Sequence, residues 1–268
     1  MNMHVVLAGC GNMGFAMLSG WIGSGRLAAA NVTVVEPNDA LRDRAAQLGV
    51  EVAKSAAAVS IAPGLVVVAV KPQVIRAVLS EWARFGNGQT AFLSIAAGTR
   101  ISVFEDILGQ KTPIIRCMPN TPAAIGLGMM AHFSNSAVSS GLKDFAINLL
   151  AASGRVAELT NEDQMDAVTA VSGSGPAYVF HFIECLTEAA KQVGLPDDIA
   201  GLFAMQTVYG AASLAAKSTD SPSKLREQVT SPNGTTAAAL SVLMGEGRLQ
   251  GLVSEAVEAA RKRSVELG

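Results

Sequence analysis

The sequence predicts a two-part chain: an α/β N-terminal Rossmann-type dinucleotide-binding domain over residues 1–160, then an all-α domain over residues 161–268. Three observations lead there. The apolar run Val5-Val6-Leu7-Ala8 feeds directly into Gly9-Cys10-Gly11-Asn12-Met13-Gly14, glycines at G-x-G-x-x-G spacing. Short apolar runs of strand type recur through the first half. Beyond Asn161 the pattern turns helical throughout, with short turns between segments.

The first strand needs burial on both faces, because its four residues are continuously apolar rather than alternating. The glycines that follow permit a sharp turn and a close backbone approach to a pyrophosphate, and the next helix aims its first N–H groups at that anion. Met13, Ala16, Met17 and Trp21 fall at helical spacing, so the glycines stand between a strand and a helix, the context a dinucleotide fingerprint requires. A ligand-free tight turn is the alternative.

Asn31 to Glu36 reads as the second strand. It ends in an acid about 20 residues past the glycines, where a carboxylate meets an adenosine ribose and favours NAD over NADP. Glu36 and Asn38 are therefore candidate cofactor contacts. Arg42 and Arg44 on the following helix are read as a solvated face, with contact to a ribose phosphate as the second option. Leu65 to Val70 is another doubly buried strand, and Ala69-Val70-Lys71-Pro72 at its carboxyl end lies where open α/β sheets bind ligands. Thr90 to Ile95 leads into Ala96-Ala97-Gly98, small residues suited to a flat ring such as a nicotinamide. Pro113 to Met118 runs into Pro119-Asn120-Thr121-Pro122, read equally as a functional loop and as a stiff connection. Gly128 to Phe133 and Arg155 to Leu159 are further strands around a helix from Ser139 to Ala152.

In the second half, Pro176 in a first turn and good helix formers from Glu184 to Lys191 make one helix of a segment that includes the β-prone Tyr178 to Ile183. Further helices are expected over Pro196 to Lys217, Ser221 to Val229, Asn233 to Gly245 and Leu249 to Val265. Val171-Ser172-Gly173-Ser174-Gly175-Pro176 gathers hydroxyls and glycines at a helix start. Ser231-Pro232-Asn233-Gly234 is a strong turn signal, and the helix after it offers the N–H groups of Gly234, Thr235 and Thr236 to a small carboxylate.

Composition narrows the class. A formal charge of −2 provides no basic field for nucleic acid or an acidic membrane, and no stretch is read as a membrane span. Cys10, Cys117 and Cys185 form neither a disulfide framework nor a metal motif, so no metal is expected and a reducing, cytoplasmic setting is. The alanine-rich chain, 50% hydrophobic and 16% charged, suggests further burial between subunits. His4, His132 and His181 lack the partners of a general base.

Five segments, in order, resemble pyrroline-5-carboxylate reductases: Gly9 to Gly14, Ala69 to Pro72, Met118 to Pro122, Val171 to Tyr178 and Ser231 to Thr236, the last flanked by Leu225 and Leu240. The resemblance spans nearly the whole chain. It implies reduction of 1-pyrroline-5-carboxylate to L-proline, the final step of proline biosynthesis, with NADPH or NADH as donor. It also implies that Gly9, Gly11, Asn12, Met13, Gly14, Ala69, Val70, Lys71 and Pro72 contact the dinucleotide, with Ala96, Ala97 and Gly98 near the nicotinamide. Thr236 then lies beside the ring nitrogen as the catalytic hydroxyl, Asn233, Gly234 and Thr235 hold the carboxylate, and Glu162 lies near the substrate. Asn233 stands where the family usually has glycine, and Thr219-Asp220-Ser221-Pro222 departs from its pattern. Dimers built through the second half, assembling into a ring, are implied as well, with the active site at a domain boundary.

Two rival readings make demands of their own. A β-hydroxyacid dehydrogenase needs a Lys-x-x-x-Asn helix, yet Lys191 is followed at that spacing by Leu195 and Lys143 by Ile147. A non-catalytic NADPH-sensing protein has no need of the carboxylate loop.

Overall fold

The structure is a computed structural model that describes residues 3–267. Contacts divide the chain into two compact units. The first runs to Ser174 and takes in the chain from Ala260 onward; the second is Gly175–Ala259. The division thus falls beyond the expected 160/161 boundary. Met165 and Ala170 are buried, and Ser264 donates to Asp166 across 2.7 Å, which ties both segments to the sheet unit.

That unit holds an eight-stranded sheet. Its strands are β1 (Val5–Ala8), β2 (Val32–Val35), β3 (Glu51–Ala53), β4 (Leu65–Val68), β5 (Ala91–Ser94), β6 (Ile114–Met118), β7 (Gly128–Ser134) and β8 (Gly154–Glu158), in the order β3-β2-β1-β4-β5-β6-β7-β8. All neighbours pair in parallel except β6 and β7. The antiparallel step was not foreseen, although a short connection turned by Thr121–Ile125 and Gly126 at φ +73° cannot make a crossover. The three-residue β3 also escaped prediction. It has no apolar run of its own and is strand only because β2 offers it a ladder.

Alternation along each strand sorts side chains onto two faces. Val5, Leu7, Val67, Leu93 and Ile115 pack with Met17, Leu18 and Trp21 of α1 (Asn12–Gly23) and Leu149 of α5 (Ser140–Leu150). Val6, Val66, Val68, Phe92 and Ile114 pack with Leu79 and Trp82 of α3 (Ile75–Trp82) and Phe104 of α4 (Ile101–Leu108). Helices on both sides explain why the strands read as unbroken apolar runs. A short α2 (Asp39–Ala46) follows β2, and α6 (Gln164–Val168) leads into a π-helical turn, Thr169–Gly173.

The second unit contains α7 (Gly175–Gln192), α8 (Asp197–Lys217), α9 (Pro222–Gln228), α10 (Thr235–Met244) and most of α11 (Arg248–Leu267). Ala200 and Ala204 are buried in α8, whereas Phe180, Phe182, Leu202, Phe203 and Tyr209 are exposed. Contrary to expectation, α8 is long and apolar enough to cross a membrane: an 18-residue window has mean hydropathy 1.4 and is 11% buried. Its alanines and glycines blur the stretch in sequence, since they count as apolar without forming a run of large side chains.

Candidate active site

The order β2-β1-β4 places a reversal of strand order between β1 and β4, the crevice where open parallel sheets bind ligands. Three glycines shape it. Gly9 sits at φ +93°, donates its N–H to the Val35 carbonyl at 2.8 Å, and has no room for a Cβ, which would lie 2.7 Å from the Ala69 carbonyl oxygen. A Cβ on Gly14 would meet the Gly9 oxygen at 2.6 Å. Gly11 is different: nothing lies within 4 Å of the Cβ it lacks. Two glycines therefore close the turn on itself, while the third leaves open space beside the start of α1. Gly11 is the N-cap of that helix and supplies no side-chain acceptor, so the first-turn amides are suited to an anion.

Glu36 is buried and braces this turn. Its Oε2 accepts the Cys10 N–H at 2.8 Å and its Oε1 accepts the Asn38 N–H at 2.9 Å. Asn38 caps α2 by accepting from the Leu41 N–H. The two arginines correct the expectation of a solvated face. Arg44 donates to the Cys10 carbonyl at 2.9 Å and lies over the Phe15 ring, 4.0 Å from its centroid. Arg42 donates to the carbonyls of Glu36 and Pro37 and pairs with Asp39 at 2.7 Å. Arg44 thus satisfies a carbonyl of the glycine turn, and Arg42 satisfies two carbonyls of the connection between β2 and α2. Burial, partly offset by Arg44, pushes the Cys10 thiol up to about 11 and keeps it protonated.

Two cavities open off the turn. The first, about 610 Å³, is lined by Gly9, Glu36, Pro37, Lys54, Ser55 and Val70 together with Val74, Val78, Glu81 and Trp82. The second, about 380 Å³, brings Gly11, Asn12, Met13, Ala69, Val70 and Lys71 together with Ile95, Met118, Pro119, Asn120, Thr121 and Gly173. The loop after β6 thus lies in one cavity with the glycine turn. Asn120 anchors it: Oδ1 accepts the Met129 N–H at 2.8 Å, and Nδ2 donates to the carbonyl and hydroxyl of Ser172 in the π-helical turn.

Other candidates lie elsewhere. Ala96 is buried against the α3/α4 face, and Ile95 lines the cavity in its stead; Gly98 turns the chain at φ +74°. Pro72 starts a 3₁₀ turn after Lys71. Glu162 is engaged in structure, its Oε1 accepting from Arg116 Nη1 at 2.9 Å and from the Ile101 N–H at 2.8 Å. Sequence reasoning missed Ile95, Lys54, Ser55 and the α3 face. Only the Val74/Val78 spacing hinted at that face.

In the second unit Asn233, at φ +58°, turns the chain into α10. One expectation needs correction here. The Gly234 N–H donates to the Ser231 carbonyl at 3.0 Å and closes the turn, so the amides that lead the helix belong to Thr235, Thr236 and Ala237. Among the described residues, no group of three or more His, Cys, Asp or Glu is placed to hold a metal ion.

Residues 162–267 match the family model described as pyrroline-5-carboxylate reductase dimerisation, and residues 4–98 match that described as NADP oxidoreductase coenzyme F420-dependent. The chain is 39% identical to the pyrroline-5-carboxylate reductase of Pseudomonas aeruginosa, over 98% of its own length and 96% of that protein's. This chain belongs to the pyrroline-5-carboxylate reductase family. The family's fold extends end to end: a pyrroline-5-carboxylate reductase structure from Coxiella burnetii superposes with a TM-score of 0.94 at 35% identity, covering 100% of this chain and 99% of that one. The Plasmodium falciparum pyrroline carboxylate reductase, solved with NADP bound, gives 0.87 at 29% identity, with 100% and 98% covered. Likeness over the full length to pyrroline-5-carboxylate reductases favours that family over the hydroxyacid dehydrogenase and sensor alternatives.

Proposed function

We propose that this chain reduces 1-pyrroline-5-carboxylate to L-proline, taking hydride from NADPH, with NADH as a second donor. The observation that carries it is the glycine turn at the β1/β4 switch, open at Gly11 and closed against backbone carbonyls at Gly9 and Gly14, in a chain whose full length matches this family. The pyrophosphate lies over Gly11, Asn12 and Met13, the adenosine enters the cavity of Glu36 and Val70, and the nicotinamide takes the cavity of Ala69, Lys71 and Ile95.

Hydride adds to the imine carbon, and the C=N electron pair moves to nitrogen. The nitrogen must carry or receive a proton, because negative charge would otherwise build up on it. Thr236 is too weak an acid to supply that proton at neutral pH. It orients the ring nitrogen by hydrogen bonding, while an iminium proton or water completes the amine. Amides at the tip of α10, next to Asn233 and Gly234, hold the substrate carboxylate. Positioning of this kind is worth several kcal/mol, approaching about 10. The engagement of Glu162 with Arg116 supports a structural role for that acid rather than a substrate contact.

The domain whose model is named for dimerisation is also the one with large exposed apolar side chains, which supports a homo-oligomer. Within this proposal α8 is covered by a second copy rather than by lipid, and dimers assemble into a ring. The test is loss of absorbance at the reduced-nicotinamide band on adding pyrroline-5-carboxylate. Thr236→Ala is expected to cut kcat at least about tenfold while NADPH affinity stays near wild type. Equal turnover in that variant sinks the role given to Thr236.

A further inference from the structure

We infer that Glu36 and Lys54 together set the choice between NADH and NADPH, Glu36 favouring the ribose 2′-hydroxyl and Lys54 the 2′-phosphate. The inference rests on the dinucleotide reading of the glycine turn and names the residues that discriminate within it.

Both residues line the 610 Å³ cavity at the carboxyl ends of β2 and β3. The Glu36 N–H donates to the Ala53 carbonyl at 3.0 Å, which brings the backbone next to Lys54 alongside the acid. The Glu36 carboxylate cannot swing away from an incoming phosphate. It is buried, and its two oxygens accept the amides of Cys10 and Asn38. Each oxygen keeps a second lone pair, so the group can also accept from a ribose hydroxyl. A phosphate monoester, which has no proton to donate at neutral pH, meets repulsion there instead. Glu81 also lines the cavity and adds a second carboxylate.

The arginines nearest this corner are already engaged. Arg42 is divided among two carbonyls and Asp39, and Arg44 among the turn carbonyls and Phe15. Recruiting Arg44 to a phosphate would strip a donor from the turn that holds the pyrophosphate, and recruiting Arg42 would strip one from the Glu36 and Pro37 carbonyls. Lys54 is the cation on the cavity wall, and it is exposed. A flexible ammonium at the rim can reach a 2′-phosphate without disturbing the turn. Opposed charges at one ribose edge therefore give a protein that uses both donors, with its selectivity divided between two side chains.

The experiment measures Kd for NADH and for NADPH by nicotinamide fluorescence, and kcat/KM for each with pyrroline-5-carboxylate, in wild type, Glu36→Gln and Lys54→Met. Glu36→Gln is expected to raise the NADPH:NADH preference, and Lys54→Met to lower it, each by about tenfold, the worth of one charged contact. A ratio within about twofold of wild type in Lys54→Met overturns the inference. So does an unchanged ratio in a Glu36→Gln protein that still binds dinucleotide. If Glu36→Gln loses both nucleotides through damage to the turn, Lys54→Met decides alone. Absence of binding by either nucleotide in wild type would be a failure of the dinucleotide site itself, distinct from a failure of discrimination.

Discussion

At the scale of single residues, glycines in one motif have separable tasks. Gly9 adopts a backbone conformation that side chains resist, and a Cβ there would collide with the Ala69 carbonyl and with Val70. Gly9→Ala is therefore expected to lower unfolding free energy by at least about 2 kcal/mol in a denaturant titration. Gly11→Ala points a methyl into open space at an ordinary φ of −63°. Its stability should stay within about 0.5 kcal/mol of wild type while its Kd for NADPH rises at least about tenfold. A Gly11→Ala protein that binds NADPH normally would show that the open space is not the pyrophosphate site.

Among elements, the clearest joint is the clamp centred on Glu162. The segment leading into α6 reaches β6 through Arg116 and the start of α4 through the Ile101 amide, while Asp163 pairs with Arg100 at 2.5 Å. Arg116 is 3% exposed and its Nε has no partner among the described residues, so the pair cannot be replaced by water. Removing the acid leaves a buried guanidinium uncompensated. Glu162→Ala should cost about 3–5 kcal/mol, far more than Asp163→Ala at its exposed position, where an ion pair is worth about 1 kcal/mol or less. Comparable urea midpoints for the two variants would refute the clamp.

For the molecule as a whole, two properties follow from what is buried and what is not. His132 lies in β7, 1% exposed, with Nδ1 unpartnered among the described residues. Burial holds its pKa below the ordinary histidine value, with Glu158 opposing and Lys143 adding to the effect. The unfolded chain therefore takes up this proton at higher pH than the native chain does. Stability from a neutral His132 is complete above the ordinary histidine range and is lost as pH falls through it toward the native value. Between about pH 7.5 and 5.5 the wild-type urea midpoint should fall more steeply than that of His132→Gln; parallel slopes would exclude the effect. The second property is assembly. Light scattering should return at least the mass of a dimer, and Leu202→Lys, at a position 63% exposed in the single chain, should weaken association and leave dinucleotide binding to the sheet unit intact. A monomeric wild type would overturn the assignment of that apolar surface.

Much of this was legible in the chain before any coordinates. The strands β1 and β4 announce themselves because doubly covered strands are apolar throughout, β2, β5 and β6 do so with one polar residue each, Thr33, Ser94 and Arg116, and the glycine turn does so because only glycine fits its backbone. The helices of the second half follow from local propensity and start signals at Pro176, Ser221 and Gly234. What the tertiary structure alone decided depends on neighbours that are distant in sequence. β3 is a strand because β2 lies beside it, Arg44 is engaged because α2 lies against the glycine turn, and Glu162 is a clamp because Arg116 is buried opposite it. Gly234 lost an expected role for a shorter-range reason, since its amide is consumed by Ser231. Backbone requirements are written into residue types, whereas the partner of a charged or polar group is set by which elements meet, and that no local pattern contains.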